Sequence, residues 1–190
     1  MIRNIISLTI LISFIASCSM VLNKTKEYKE LYSNGELKTV GTLKKNKKTG
    51  CWLYYNSNGV KIREENYIDD KLTGEAYSWY ENGQIQTFEK YHEGMLVDTF
   101  KVWNKNGKMS SLIVRGDNGV ENGVSKSWYP NGILMQKGYF HNGLLDSVWE
   151  EYHDNGQLSS IKHYNKGDKV GKWIYLQENG DTLKTEEYKD

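Results

Sequence analysis

The side chains most able to hold metals or move protons are four histidines, His92, His141, His153 and His163, two cysteines, Cys18 and Cys51, and 24 acidic residues. His92 and His141 occupy equivalent turn positions two repeat units apart, roughly 19 Å at about 4.8 Å per strand, too far for one metal. His153 and His163 flank a single predicted hairpin, in which a two-residue turn sets His153 opposite Leu158 rather than His163. The carboxylates are scattered over turns and strand faces. No pair recurs with a partner that would raise one pKa and leave the other ionised, as an acid–base couple needs. There is no serine elbow and no glycine-rich phosphate loop leading into a helix. Two cysteines exclude a disulfide framework, and their spacing excludes a cysteine zinc site. One segment, Gly116 to Gly123, gathers oxygen ligands at Asp117, Asn118 and Glu121. Its spacing is not that of a calcium loop, and an enlarged turn is expected there. The expectation is therefore a chain with no catalytic residues, no metal and no cofactor, and not an enzyme.

The elements that must position these residues are marked by one dipeptide. Seven Asn-Gly pairs recur in register, at Asn34, Asn58, Asn82, Asn106, Asn131, Asn155 and Asn179, at spacings of 24, 24, 24, 25, 24 and 24 residues. Both residues tolerate φ > 0, so each Asn-Gly predicts a type I′ hairpin turn. A fixed period of this size predicts a repeat architecture. Counted from the glycine of each Asn-Gly, aromatic columns emerge. Position −4 holds Leu31, Tyr55, Trp79, Trp103, Trp128, Tyr152 and Leu176, and position +8 holds Leu43, Tyr67, Tyr91, Arg115, Phe140, Tyr164 and Tyr188. Position −9 is glycine in most units, with Asp98 and Ser147 as exceptions that predict local turn adjustment. A second turn in each unit falls at Asp69-Asp70, Glu93-Gly94, Asn118-Gly119, Asn142-Gly143 or Lys166-Gly167.

Each unit thus reads as two antiparallel strands. Seven units give about fourteen strands in an all-β, elongated, single-layer antiparallel meander, with no substantial helix in the mature chain. A lone hairpin is marginal in water, and stacking of the aromatic columns supplies what it lacks. Positions −4 and −7 (Trp52, Phe100, Trp149 and Trp173 in the latter) differ in parity, so one column is expected to be the more exposed. Cys51, beside Trp52 in a predicted strand, is expected as a small buried residue. Pro130 lacks a backbone donor and fits only where a hairpin mouth is open.

The first 17 residues stand apart. Arg3 precedes a mostly apolar run from Ile5 to Ile15, and the small residues Ala16 and Ser17 follow. That run is too short for a membrane span and predicts a secretory leader. Ile15-Ala16-Ser17-Cys18 resembles a bacterial lipobox, in which the cysteine becomes the lipidated N-terminus of the mature protein. The resemblance implies a leader over residues 1–17, lipidation of Cys18, a short linker over 18–27 and a repeat domain over 28–190. It also implies a membrane-anchored lipoprotein of the bacterial envelope, on its periplasmic or surface face. Arg3 is the only charged residue of the leader, so the chain from Cys18 onward carries 24 basic and 24 acidic residues. Lys44-Lys45-Asn46-Lys47-Lys48 falls on a predicted turn, and no basic face for nucleic acid is evident.

The repeats resemble the MORN repeat variant of bacterial proteins. Tyr80-Glu81-Asn82-Gly83-Gln84-Ile85, Tyr91-His92-Glu93-Gly94 and Gly171-Lys172-Trp173-Ile174-Tyr175 carry the resemblance, which runs from about Tyr28 to Tyr188. Many bacterial members are labelled YwqK-like antitoxins, which implies a toxin partner. Eukaryotic relatives are associated with membrane attachment and scaffolding. The expected function is a lipid-anchored, non-enzymatic scaffold or protein-binding surface, with an antitoxin or immunity protein as the alternative. The expected partners are a membrane, through the anchor, and a protein, with no nucleic acid. The candidate binding surface comprises Trp79, Trp103 and Trp128 with Arg115 and Asp117 from the unit that breaks the count.

Overall fold

A computed structural model describes residues 24–189. The expected leader and Cys18 lie outside the described residues. The first strands are β1 (Thr25–Leu31), β2 (Leu37–Lys44), β3 (Lys47–Tyr55) and β4 (Lys61–Ile68). They are followed by β5 (Lys71–Leu72), β6 (Gly74–Trp79), β7 (Ile85–His92) and β8 (Met95–Trp103). Next come β9 (Met109–Arg115), β10 (Glu121–Trp128), β11 (Leu134–His141) and β12 (Leu144–Tyr152). The last are β13 (Leu158–Asn165), β14 (Asp168–Leu176) and β15 (Thr182–Tyr188). All are antiparallel neighbours in one open sheet whose strand order is chain order, with the two-residue β5 pairing β4 beside β6. The all-β meander of hairpin repeats expected from the period is the observed fold. The first strand opens at Thr25, three residues ahead of the expected domain start at Tyr28.

The turns differ from expectation in an instructive way. At each of the seven register-marking Asn-Gly pairs only the glycine is left-handed, from φ +75° at Gly59 to +89° at Gly132 and Gly180. The Gly83 amide donates to the Tyr80 carbonyl at 2.9 Å and the Tyr80 amide to the Gln84 carbonyl at 2.9 Å. This is a three-residue loop, a type I turn closed by a left-handed glycine, and not a two-residue type I′ turn. Pro130 fits here because it takes the second position of such a turn, where its fixed φ is favoured. The type I′ turns lie at the opposite end of the strands. Both central residues are left-handed at Lys45-Asn46, Asp69-Asp70, Glu93-Gly94, Asn142-Gly143 and Lys166-Gly167. Unit four has the three-residue form at this end too: the Gly119 amide donates to Gly116 at 2.9 Å and the Gly116 amide to Val120 at 2.8 Å. That exchange of turn type accounts for the extra residue.

Position −9 is left-handed in every unit from the second onward. Gly50, Gly74, Asp98, Gly123, Ser147 and Gly171 all have φ between 57° and 136°. Pairing slips there, as between Lys137 and Tyr139 or Ile161 and His163, so each unit carries a β-bulge rather than a turn at that point. The bulge adds local twist.

Side-chain alternation gives the sheet two unlike faces. Position −7 is the more buried column: Trp52 is 2%, Ala76 1% and Trp173 3% exposed, whereas Trp79, Trp103 and Trp128 are half-buried on the other face. Rings from −7 and +8 interleave along the first face. Trp52 lies 5.2 Å from Tyr28 and 6.2 Å from Tyr67, and Trp173 lies 5.1 Å from Tyr164 and 4.9 Å from Tyr188. Cys51 is exposed, contrary to expectation, because alternation puts it on the face away from Trp52.

Candidate functional site

The expected surface residues do not converge. Trp79 ends β6 and stacks on Tyr77 at 5.9 Å, with the Lys61 ammonium 4.0 Å from its ring centre. Trp103 and Trp128 end β8 and β10 at equivalent points of the same face. Arg115 belongs to the opposite face, where it pairs in register with Asp98 and binds Glu121 at 3.2 Å and the Gly119 carbonyl at 3.1 Å. Asp117 is exposed in the unit-four turn. Asn118 Oδ1 there accepts the Val120 amide at 3.1 Å and closes the turn, while Glu121 is held by Arg115. Among the described residues no group of three His, Cys, Asp or Glu is gathered to hold a metal.

Two features escaped the sequence reading. The first is a ladder of side chains along the Asn-Gly edge. Asn82 Oδ1 accepts the Gln84 amide at 3.1 Å, while its Nδ2 donates to the Lys105 carbonyl of the next unit at 3.1 Å. Asn34, Asn106 and Asn131 repeat both contacts. One step inward, at position −3, Tyr32, Tyr80 and Tyr129 donate their hydroxyls to the carbonyls of Tyr55, Trp103 and Tyr152 at 2.8 to 2.9 Å. His153 makes the same bond to Leu176 at 3.1 Å through its Nε2–H. The asparagine is thus chosen less for its own φ than for its two-sided amide.

The second feature is a charged cluster on the aromatic face, across β4, β6 and β7. Arg63 Nε binds Glu65 at 2.5 Å and its Nη2 binds Glu89 at 2.8 Å. Tyr67 donates to Glu65 at 2.6 Å, Tyr91 to Glu89 at 2.8 Å and Thr87 to Glu89 at 3.0 Å. Both glutamates are 8% exposed. Burial alone would push their carboxyls up, but the hydrogen bonds and the guanidinium outweigh it and hold both below the usual carboxylate range. Burial and Glu89 push the Tyr91 phenol up to about 12. Every carboxylate oxygen of the cluster is engaged, so neither glutamate is free to act as an acid or a base.

Volume explains why the cluster sits there. Positions −7 and +6 share this face and exchange bulk. Trp52 lies on Gly41 and Trp149 on Gly138, where an added methyl would fall 2.2 and 2.0 Å from the indole. In unit three −7 is Ala76, and Glu65 and Glu89 at +6 fill the space with Arg63 between them. Reading −7 and +6 together, rather than each column alone, would have found this.

One cleft opens beside the Asn-Gly edge of unit three. It has a volume of about 410 Å³ and is lined by Trp79, Tyr80, Glu81, Asn82, Gln86 and Lys105. A second, of about 370 Å³, lies on the aromatic face around Tyr28, Lys48, Trp52 and Tyr54. Its floor is occupied by the Lys48 ammonium, 4.5 Å from the Trp52 ring, 4.7 Å from Tyr67 and bonded to the Tyr54 hydroxyl at 3.0 Å. Both clefts are shallow and mixed in polarity, as suits a protein surface rather than an enclosed small molecule.

Against known proteins, four segments match the MORN repeat variant family: residues 48–69, 72–92, 121–142 and 145–166. No curated protein matches the chain. The matched segments begin and end in step with the hairpins, two in each half of the sheet, and these four hairpins are MORN repeat variants.

Proposed function

We propose that the protein is a non-enzymatic, lipid-anchored scaffold of the bacterial envelope that docks a protein partner on its repeat sheet. The observation that carries this reading is the cleft around Trp79. It joins a half-buried indole and tyrosine to a rim of Glu81, Asn82, Gln86 and Lys105, the apolar-centre and polar-rim composition of a docking patch. Saturation of the Glu65–Arg63–Glu89 carboxylates supports a binding role over a catalytic one. The anchor rests on the Ile15-Ala16-Ser17-Cys18 motif. Metabolic labelling with a palmitate analogue should mark the wild type and spare Cys18→Ala; equal labelling sinks the anchor. Capture from envelope extracts should recover a partner that Trp79→Ala and Lys105→Glu each lose by tenfold or more. A partner held equally by both variants places the docking surface elsewhere. The second reading, an immunity protein that neutralises a toxin by stoichiometric binding, rests on the resemblance of the repeats to bacterial members labelled antitoxins. It requires the captured partner to be a toxin whose activity returns when Trp79 is replaced.

A further inference from the structure

The two ends of the sheet are unlike, and each lacks what the other supplies. Every internal + strand, the one after an Asn-Gly turn, is followed by the − strand of the next unit. β15 is a + strand and β1 a − strand, and among the described residues β15 has no successor and β1 no predecessor. We infer that β15 of one copy pairs with β1 of a second copy, so that the repeat continues across the junction in its own register.

The internal junctions fix that register. Thr39 pairs Tyr54, Gln136 pairs Glu151 and Ser160 pairs Tyr175; each sets +4 against −5. Val40 with Leu53, Lys137 with Glu150 and Ile161 with Ile174 set +5 against −6. Carried to the free ends, the same register sets Lys184 opposite Glu30 of the next copy, a pair of opposite charge. One step further along, Leu183 faces Leu31. These leucines are 62% and 58% exposed, while most −4 residues are half-buried against a neighbouring unit. Each is left bare by the absence of the other. Lys184 and Glu30 now hold Glu186 and Lys38, both at 2.7 Å on open side chains, and these weak contacts exchange readily. The edge ladder has a matching gap. Gln177 stands at position −3, where Tyr129 and His153 reach the carbonyl of the next unit, and its side chain makes no hydrogen bond among the described residues. At the junction its amide faces the Leu31 carbonyl. Because the contact joins unlike ends, it is heterologous and open, and its product is a linear polymer.

Disulfide trapping tests this on the full chain in a Cys51→Ser background. Leu31→Cys with Leu183→Cys should give a ladder of covalent multimers on oxidation. Leu31→Cys alone should give no more cross-linking than the background, which also accounts for Cys18. Two results overturn the inference: an equal ladder from the out-of-register pair Leu31→Cys with Glu187→Cys, or covalent dimers from Leu31→Cys alone, the mark of two β1 edges meeting. Sedimentation of the detergent-solubilised chain gives a readout free of engineered cysteines. Lys184→Glu and Glu30→Lys should each weaken self-association roughly tenfold, and the double exchange should restore it. A chain that stays monomeric at every concentration, or a double variant no better than the singles, refutes the pairing.

Discussion

Replacing Gly41 by alanine tests the exchange of bulk between positions −7 and +6. Gly41 is buried in β2 with an ordinary extended backbone, so alanine meets no φ penalty. The added Cβ, however, falls 2.2 Å from Trp52 Cδ2 and 2.4 Å from Cε2, where a normal contact needs about 1.5 Å more. Trp52 is 2% exposed and flanked by Tyr28 and Tyr67, so the indole has no free direction in which to retreat. Overpacking of this kind costs about 1–3 kcal/mol. For a chain of this length about 2 kcal/mol lowers Tm by roughly 4–8 °C. Trp52→Ala alone empties the same site and costs about 3–5 kcal/mol. The two losses should not add, because in the double variant the new methyl meets no ring and fills part of the space, as Ala76 and its neighbours do in unit three. A coupling of about 2 kcal/mol is expected from a double-mutant cycle read by denaturant or thermal melts. Additivity within about 0.5 kcal/mol, or a Gly41→Ala variant as stable as the wild type, would refute the volume argument.

Ser147→Gly should raise stability by about 1 kcal/mol, because Ser147 holds φ 63° at a bulge that most units give to glycine. Asp98→Gly should gain less, since it surrenders the Thr99 hydrogen bond at 2.9 Å and the Lys90 contact at 2.5 Å; calorimetry of both variants decides the order. Arg63→Ala should cost about 3 kcal/mol at neutral pH by leaving Glu65 and Glu89 buried without a cation. In the wild type both carboxyls are depressed, so their contribution is present above the usual carboxylate range and fades as pH falls through their folded values. The gap between variant and wild type should therefore narrow on acidification, and a gap that is constant with pH counts against the cluster. Asn131→Ala removes the bonds to Ile133 and Asp154, at 2.9 and 3.2 Å. It should cost about 1 kcal/mol and speed amide exchange at both turns it joins, and exchange altered at one turn alone contradicts the ladder.

The period, the strand count and the two-faced alternation were legible in the sequence because each is carried by a repeated residue type. Asn-Gly marked the register correctly and its turn type incorrectly. The dipeptide suits φ > 0 at both residues, but the flanking −3 side chain and the next unit's carbonyls select the three-residue form, and those partners lie 23 residues away. The left-handed bulge at −9 showed as a glycine column, yet a glycine column alone cannot say whether the chain turns or merely slips. Asp98 and Ser147 kept the conformation without the residue. The Arg63 cluster was hidden because its two glutamates occupy a column where other units place Gly41, Ile113, Gly138 or Lys162, so only a comparison across two columns reveals it. The gathering of Trp79, Trp103, Trp128, Arg115 and Asp117 into one surface failed on parity and on the turn at unit four, which divide them among a face, its reverse and an edge.

The ladder along the Asn-Gly edge has a consequence for how fast such a sheet is made. The Tyr80–Trp103 and Asn131–Asp154 bonds each span 23 residues, and their counterparts in other units span 23 or 24. No contact of the repeat has to wait for a distant part of the chain, and adding units would lengthen the sheet without lengthening any loop that must close. Large β-sheets are ordinarily slow because loop closure precedes reward. This one should assemble at a rate set by a single hairpin and its neighbour, each finished unit offering the next a ready edge.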